Sequence, residues 1–238
     1  MILNIRRSMS VLLLLLVLPL MSLDADSFKD RLHWSYSGSI FILAADNGKQ
    51  GADPFPIVPS LGFSAAYQVR RLLRLELTED LYFSNYEYNT EYGYPMACNP
   101  ENRSAFVMGM LTGFQVTGFF PIGKTGIDIR TYGGLAADFR IVVLAFGLNH
   151  PDDFTGNIET DAQLQTDAIL HYFWDKGRWF LPTAGAGMDF PINEKYLLGF
   201  DFRVWFPLYR LWTDEQIPKI DGWRFGAGLR ITTRKKSG

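Results

Sequence analysis

Residues Tyr196–Trp212 read YLLGFDFRVWFPLYRLW, a stretch of large apolar side chains with Asp201 and Arg203 near its middle. A charge placed in an apolar environment costs several kcal/mol or more unless it is paired or solvated. Parity resolves the conflict. Tyr196, Leu198, Phe200, Phe202, Val204, Phe206 and Leu208 form an unbroken apolar row, while Leu197, Gly199, Asp201, Arg203 and Trp205 alternate with them. Successive side chains of a strand point to opposite faces, so a strand sends both charges to one side. A helix would put them inside its apolar stripe. The segment therefore reads as a strand whose faces meet different media.

Seven other segments repeat the pattern. Ile127, Ile129, Leu135, Phe139, Ile141 and Val143 alternate with Asp128, Arg130, Asp138 and Arg140. Phe106, Met108, Met110, Phe114, Val116 and Phe120 alternate with Gly109, Gly113, Gln115 and Thr117. Trp223, Phe225, Leu229 and Ile231 oppose Arg224, Gly226, Gly228 and Arg230, and the row from Phe180 to Phe190 opposes Gly185, Gly187 and Asp189. Near the start, Trp34, Tyr36, Ile40 and Ile42 oppose a row of serines, and Leu61, Phe63, Tyr67 and Val69 oppose Gly62, Ser64 and Gln68. The eighth segment sets Leu73, Leu75, Leu77, Leu81 and Phe83 against Arg74, Glu76, Thr78, Asp80 and Tyr82. Its one misfit is Glu79, which falls on the apolar row. That residue marks either a bulge or a turn near Thr78 to Asp80; a turn at Arg70-Arg71 fits the pattern better.

Eight strands of about ten or more residues are what tilted membrane-crossing strands require. The connections alternate in length. Short ones fall at Arg70-Arg71, Phe119–Gly126 and Asp189–Lys195, the last two sharing Phe-Pro-Ile followed by Gly or Asn. Long ones fall at Ala45–Val58, Asn89–Ser104, about 146–177 and Leu211–Asp221. In the third long connection, Leu164, Ala168 and Tyr172 stand at helical spacing, so a short helix at the barrel mouth competes with an extension of the strands.

Alternation alone also suits a soluble barrel with an apolar cavity. Lysine separates the two, because a water-facing strand surface carries Lys and Glu. Lys29, Lys49, Lys124, Lys176, Lys195, Lys219, Lys235 and Lys236 all fall outside the strand rows. Aromatic residues near strand ends (Trp34, Tyr36, Tyr196, Trp212, Trp223) suit interfacial girdles. The expectation is an all-β fold, an eight-stranded antiparallel up-and-down transmembrane barrel over residues 26–238. Ahead of it, residues 1–25 carry Arg6-Arg7, the run VLLLLLVLPL and a small residue near Ala25, the marks of a signal peptide. A net charge of −2 gives no basis for nucleic-acid binding.

Together the signal peptide, the eight alternating strands and the long third loop resemble the small outer-membrane barrels of the OmpW/OmpA/OmpX type. The FFPIG segment at Phe119–Gly123 is most similar to the OmpW-like proteins of spirochaetes. The resemblance implies a monomer in the outer membrane of a diderm bacterium, inserted into its lipid by the barrel-assembly machinery. It also implies small, hydrophobic solutes entering from the extracellular end. The basic tail after Ile231 departs from the terminal Phe of many such proteins.

The inward rows carry Arg74, Arg130, Arg140, Arg203, Arg224 and Arg230 against Glu76, Asp80, Asp128, Asp138, Asp189 and Asp201. Six of each sign in a bore that side chains nearly fill form either a plug or the wall of a narrow solute path. The functional readings follow: a channel or uptake protein, or a non-conducting structural or host-interaction barrel acting through its loops. A lipid-modifying enzyme is the minor alternative, since His33 and Ser35 share a face as in the His-x-Ser of a lipid A deacylase of this architecture. No acid partner stands nearby, so no enzyme is expected. His150 and His171 lack the company of a metal site, and no cofactor is expected. Cys98, the single cysteine, reads as a loop residue, or as one half of an intermolecular disulfide.

Overall fold

The computed structural model describes residues 31–45, 56–145, 156–158, 161–213 and 221–233. The expected signal peptide, His150 and the tail after Thr233 lie outside them. Nine strands follow in order: β1 (Leu32–Leu43), β2 (Ile57–Arg70), β3 (Leu73–Asn89), β4 (Tyr94–Cys98), β5 (Ala105–Pro121), β6 (Asp128–Ala145), β7 (Phe180–Pro191), β8 (Tyr196–Trp205) and β9 (Arg224–Thr233). One helix, α1 (Ala162–Trp174), precedes β7.

The sheet runs β2-β1-β9-β8-β7-β6-β5-β3, and β2 pairs back onto β3. That last pairing closes a ring of eight antiparallel strands and removes both edges. β4 is the ninth strand and stands outside the ring. It pairs with Asn85–Asn89 of β3, above the last β2 partner at Tyr82, and so raises the wall on that side. The alternate rows divide between outside and inside. On the outside, Leu61 is 73% exposed and Phe202 53%, whereas inside Arg130 is fully buried.

Glu79 is neither bulge nor turn. The β2–β3 turn lies at Arg71-Leu72, and the register runs unbroken through Glu79, which faces Phe63 on one side and Thr112 on the other. It stays on the outer row, where the Thr112 hydroxyl donates to its Oε2 at 2.6 Å. The two Phe-Pro-Ile turns solve the same problem with different chemistry. Gly123 and Gly126 supply the positive φ after β5. After β7 the Asn193 side chain accepts from the Lys195 and Tyr196 amides at 2.8 and 2.9 Å.

Three expectations need correction. The strand of the opening stretch stops at Trp205; Pro207 cannot continue the ladder, and Leu208–Leu211 form a helical turn, so the apolar row does not extend to Leu208. Cys98 is on β4 rather than in a loop, opposite Asn85 and 1% exposed. The third long connection does form a helix, but its buried line is Gln165, Ile169 and Phe173 rather than Leu164, Ala168 and Tyr172. Polar anchors set that rotation: Gln165 is hydrogen-bonded to the Ser104 hydroxyl and donates to the Ile158 carbonyl at 2.9 Å. Asp161 caps the helix, accepting from the Gln163 and Leu164 amides.

The outer row fixes an expected outcome. Phe202→Arg places a charge on the lipid face and should destabilise the barrel by about 2–4 kcal/mol, whereas an apolar exchange to Leu should cost less than about 1.5 kcal/mol. Urea titration of protein folded into lipid vesicles checks the difference.

Candidate functional site

The interior charges form two clusters separated by an aromatic layer. In the lower cluster, toward the short turns, Arg130 on β6 places Nε 2.8 Å from Asp189 and Nη1 3.1 Å from Asp201. Arg230 on β9 reaches Glu76 at 3.4 Å, Asp189 at 3.6 Å and Asp201 at 3.7 Å. Arg203 on β8 meets Asp80 on β3 at 2.8 Å. Those two strands stand on opposite sides of the ring, so this pair spans the whole bore. Gln115 donates to Glu76 at 2.9 Å and Tyr132 to Asp201 at 3.2 Å, filling further acceptor positions.

Room for these groups comes from missing side chains. A Cβ at Gly187 would come within 2.9 Å of Arg130 Nη2, and one at Gly199 within 3.0 Å of the same atom. Gly199 neighbours Asp201 on the same face, so the small residue of the opening stretch and its acid serve one arginine.

Arg74 and Asp128 are peripheral. Arg74 donates to Gln68 at 2.5 Å and lies 4.2 Å over the Phe119 ring; no carboxylate comes within ion-pair distance of it among the described residues. Asp128 is half-buried at the turn-side end, opposite Asp189 in the β6–β7 register.

Above the lower cluster, Phe41 packs edge-on against Tyr82 and Trp205 at centroid distances of 5.7 and 5.0 Å. Beyond them is the upper cluster. Asp138 accepts from the Tyr82 hydroxyl at 2.9 Å and lies 2.9 Å from Arg140 and 2.5 Å from Arg224. Arg224 also donates to the Tyr82 hydroxyl at 3.0 Å. Tyr82, Tyr132, Gln115 and Gln68 were not singled out as network members by charge, although each stands on an inward row where parity alone would place it.

The loop-side mouth is roofed by α1, β4 and the segment around Asp221. Phe173 drops onto Tyr86, with centroids 4.9 Å apart, and under the Arg140 guanidinium, 3.8 Å from the ring. Tyr94 donates to the Asp221 carboxylate. Burial and that acid push the Tyr94 phenol far above its ordinary value, so it remains a donor at any working pH. Burial pushes the Cys98 thiol up as well, with Glu87 adding to it, which disfavours the reactive thiolate. At the opposite end, Ser35 is buried and its hydroxyl lies 2.9 Å from Thr232, while His33 Nδ1 lies 3.3 Å from the Thr233 carbonyl. Ser35 is thus a strand-pairing hydroxyl.

A closed ring with an apolar exterior and a charged, hydrogen-bonded interior defines a membrane-spanning β-barrel, the only strand arrangement that leaves no backbone group unsatisfied in lipid. Comparison with solved structures finds barrels of that class. Neisserial surface protein A is 11% identical over 86% of this chain and 97% of its own, with a TM-score of 0.49. The outer membrane protein OprG from Pseudomonas aeruginosa is 10% identical over 86% and 96%, at 0.48. Ail, the attachment invasion locus protein of Yersinia pestis, is 8% identical over 85% and 95%, at 0.42. No family model and no curated protein matches the chain.

Two outcomes follow from these contacts. Arg130→Met leaves Asp189 and Asp201 short of a buried partner and should destabilise the barrel by about 3–5 kcal/mol, more than Arg74→Met at the periphery; equilibrium unfolding compares the two. Cys98 should resist maleimide in the folded protein and react once the chain is unfolded in urea, read by mass spectrometry.

Proposed function

We propose that the protein is a monomeric outer-membrane β-barrel of a diderm bacterium, sealed through its bore and acting through its loop-side face. In this reading residues 1–25 direct export, the barrel-assembly machinery inserts the chain, and lipid covers the outer rows. The observation that carries it is the Arg203–Asp80 pair joining opposite walls, flanked by Arg130 and Arg230, each with 3% exposure or less. A path for solutes needs a continuous column of water, and here guanidinium and carboxylate groups occupy the cross-section. Between the two readings the sequence leaves open, this favours the plug. Stability and rigidity are the tasks of the interior, and recognition falls to the mouth.

Planar-bilayer recording of the refolded full chain tests the proposal. The expected result is an unchanged baseline conductance at applied voltages and across ionic solutes. Resolved unitary steps from the unmodified protein would overturn it and restore the conduit.

A further inference from the structure

The two clusters differ in their charge balance. In the lower one, Arg130, Arg203 and Arg230 are ion-paired with Glu76, Asp80, Asp189 and Asp201, so every buried arginine of that network has a carboxylate. In the upper one, Arg140 and Arg224 share the single carboxylate of Asp138. Both arginines are 6% exposed. Counting these three groups alone, the guanidiniums outnumber the carboxylate by one, in a place shielded from bulk water.

Arg224 has its two amino groups engaged, one with Asp138 and one with Tyr82. Arg140 faces Asp138 through Nε, and its two terminal amino groups receive no hydrogen-bond acceptor among the described residues. Arg140 lines a cavity of about 60 Å³ under the α1 roof, as do Arg224 and Arg178. The Arg178 guanidinium, however, stacks on Tyr172 at 3.9 Å and donates to the Tyr172 and Asp175 carbonyls and to the Asp175 carboxylate, which leaves Arg140 as the arginine with an open edge. The acid on that wall, Asp221, already holds the Tyr94 hydroxyl. Phe173 supplies an apolar side.

We propose that this mouth cavity is a binding site for a small carboxylate, held by the free edge of Arg140 with its short apolar part against Phe173. The planar guanidinium edge presents two parallel N–H groups, which match the two oxygens of a carboxylate. The volume admits only a few non-hydrogen atoms, which limits the ligand to the size of acetate or propionate. The site deepens the loop-side reading above, and rests on it only for its biological use.

The test uses the full chain in detergent micelles with acetate as the probe, read by saturation-transfer NMR on its methyl protons at constant ionic strength. The expected result is a saturable signal that propionate displaces. Arg140→Gln should weaken binding about tenfold or more, in line with the loss of a charged hydrogen-bond partner. Arg74→Gln, at the other end of the bore, should leave binding unchanged. Circular dichroism and heat-dependent gel mobility establish that each variant is folded; if Arg140→Gln is not, Arg140→Lys takes its place, which keeps the charge but loses the planar fork, with weakening of several-fold expected. A signal that does not saturate, or one that the folded arginine variant retains in full, overturns the site. The two proposals fail separately. Unitary conductance with acetate binding intact removes the sealed barrel alone, while silence without acetate binding removes the carboxylate site alone.

Discussion

Backbone satisfaction governs everything else in this molecule. A strand in lipid has no water to accept its amides, so each N–H and C=O must find another strand, and the sheet must end on itself. The β2–β3 pairing performs that closure. Once the ring is closed, the pleat leaves no freedom over side chains: neighbours along a strand face opposite media. A one-residue slip in any strand would move its charges into lipid. The charged rows consequently act as register pins, because the wrong register is far more costly than a misplaced methyl group.

Closure also determines how those charges are held. An eight-strand ring is narrow, so groups from opposite walls come within hydrogen-bond distance, as Arg203 and Asp80 do. Paired charges in a confined space still lose hydration, and the loss is offset only when most donors and acceptors are filled. Tyr82, Tyr132 and Gln115 fill them without adding charge. Gly187 and Gly199 contribute by being small, since a larger side chain at either place would occupy the volume of the Arg130 guanidinium.

Much of this was legible in the sequence, for a definite reason. Period-two alternation is imposed by lipid on one side and a polar lumen on the other, so the inward set that includes Arg130, Asp138, Asp201 and Arg230 could be named from parity. Parity says which face a residue takes but not how far a strand runs or what a side chain touches. It carried the opening strand to Leu208, although Pro207 ends the ladder and the chain turns helical over the mouth. It could not show that Arg203 reaches Asp80, a residue 123 positions away on the opposite wall. Nor could it place Cys98 on β4, because that five-residue strand is buried along its whole length and has no alternation to read. The helix α1 showed the right period with the wrong phase, since Gln165 and Thr166 turn inward against expectation from polarity.

Glu79 shows the limit of the rule from the other side. Its position on the outer row looked like an error in the alternation, yet the ladder passes through it without a shift. A bulge would have moved the carboxyl inward but displaced every later residue of β3, including Asp80 and Tyr82, from their partners in the bore. Keeping one carboxyl on the lipid side, hydrogen-bonded to Thr112, preserves the pairings of both. The register is thus decided by the sum over a strand, and a single unfavourable residue is tolerated when its neighbours depend on the alignment.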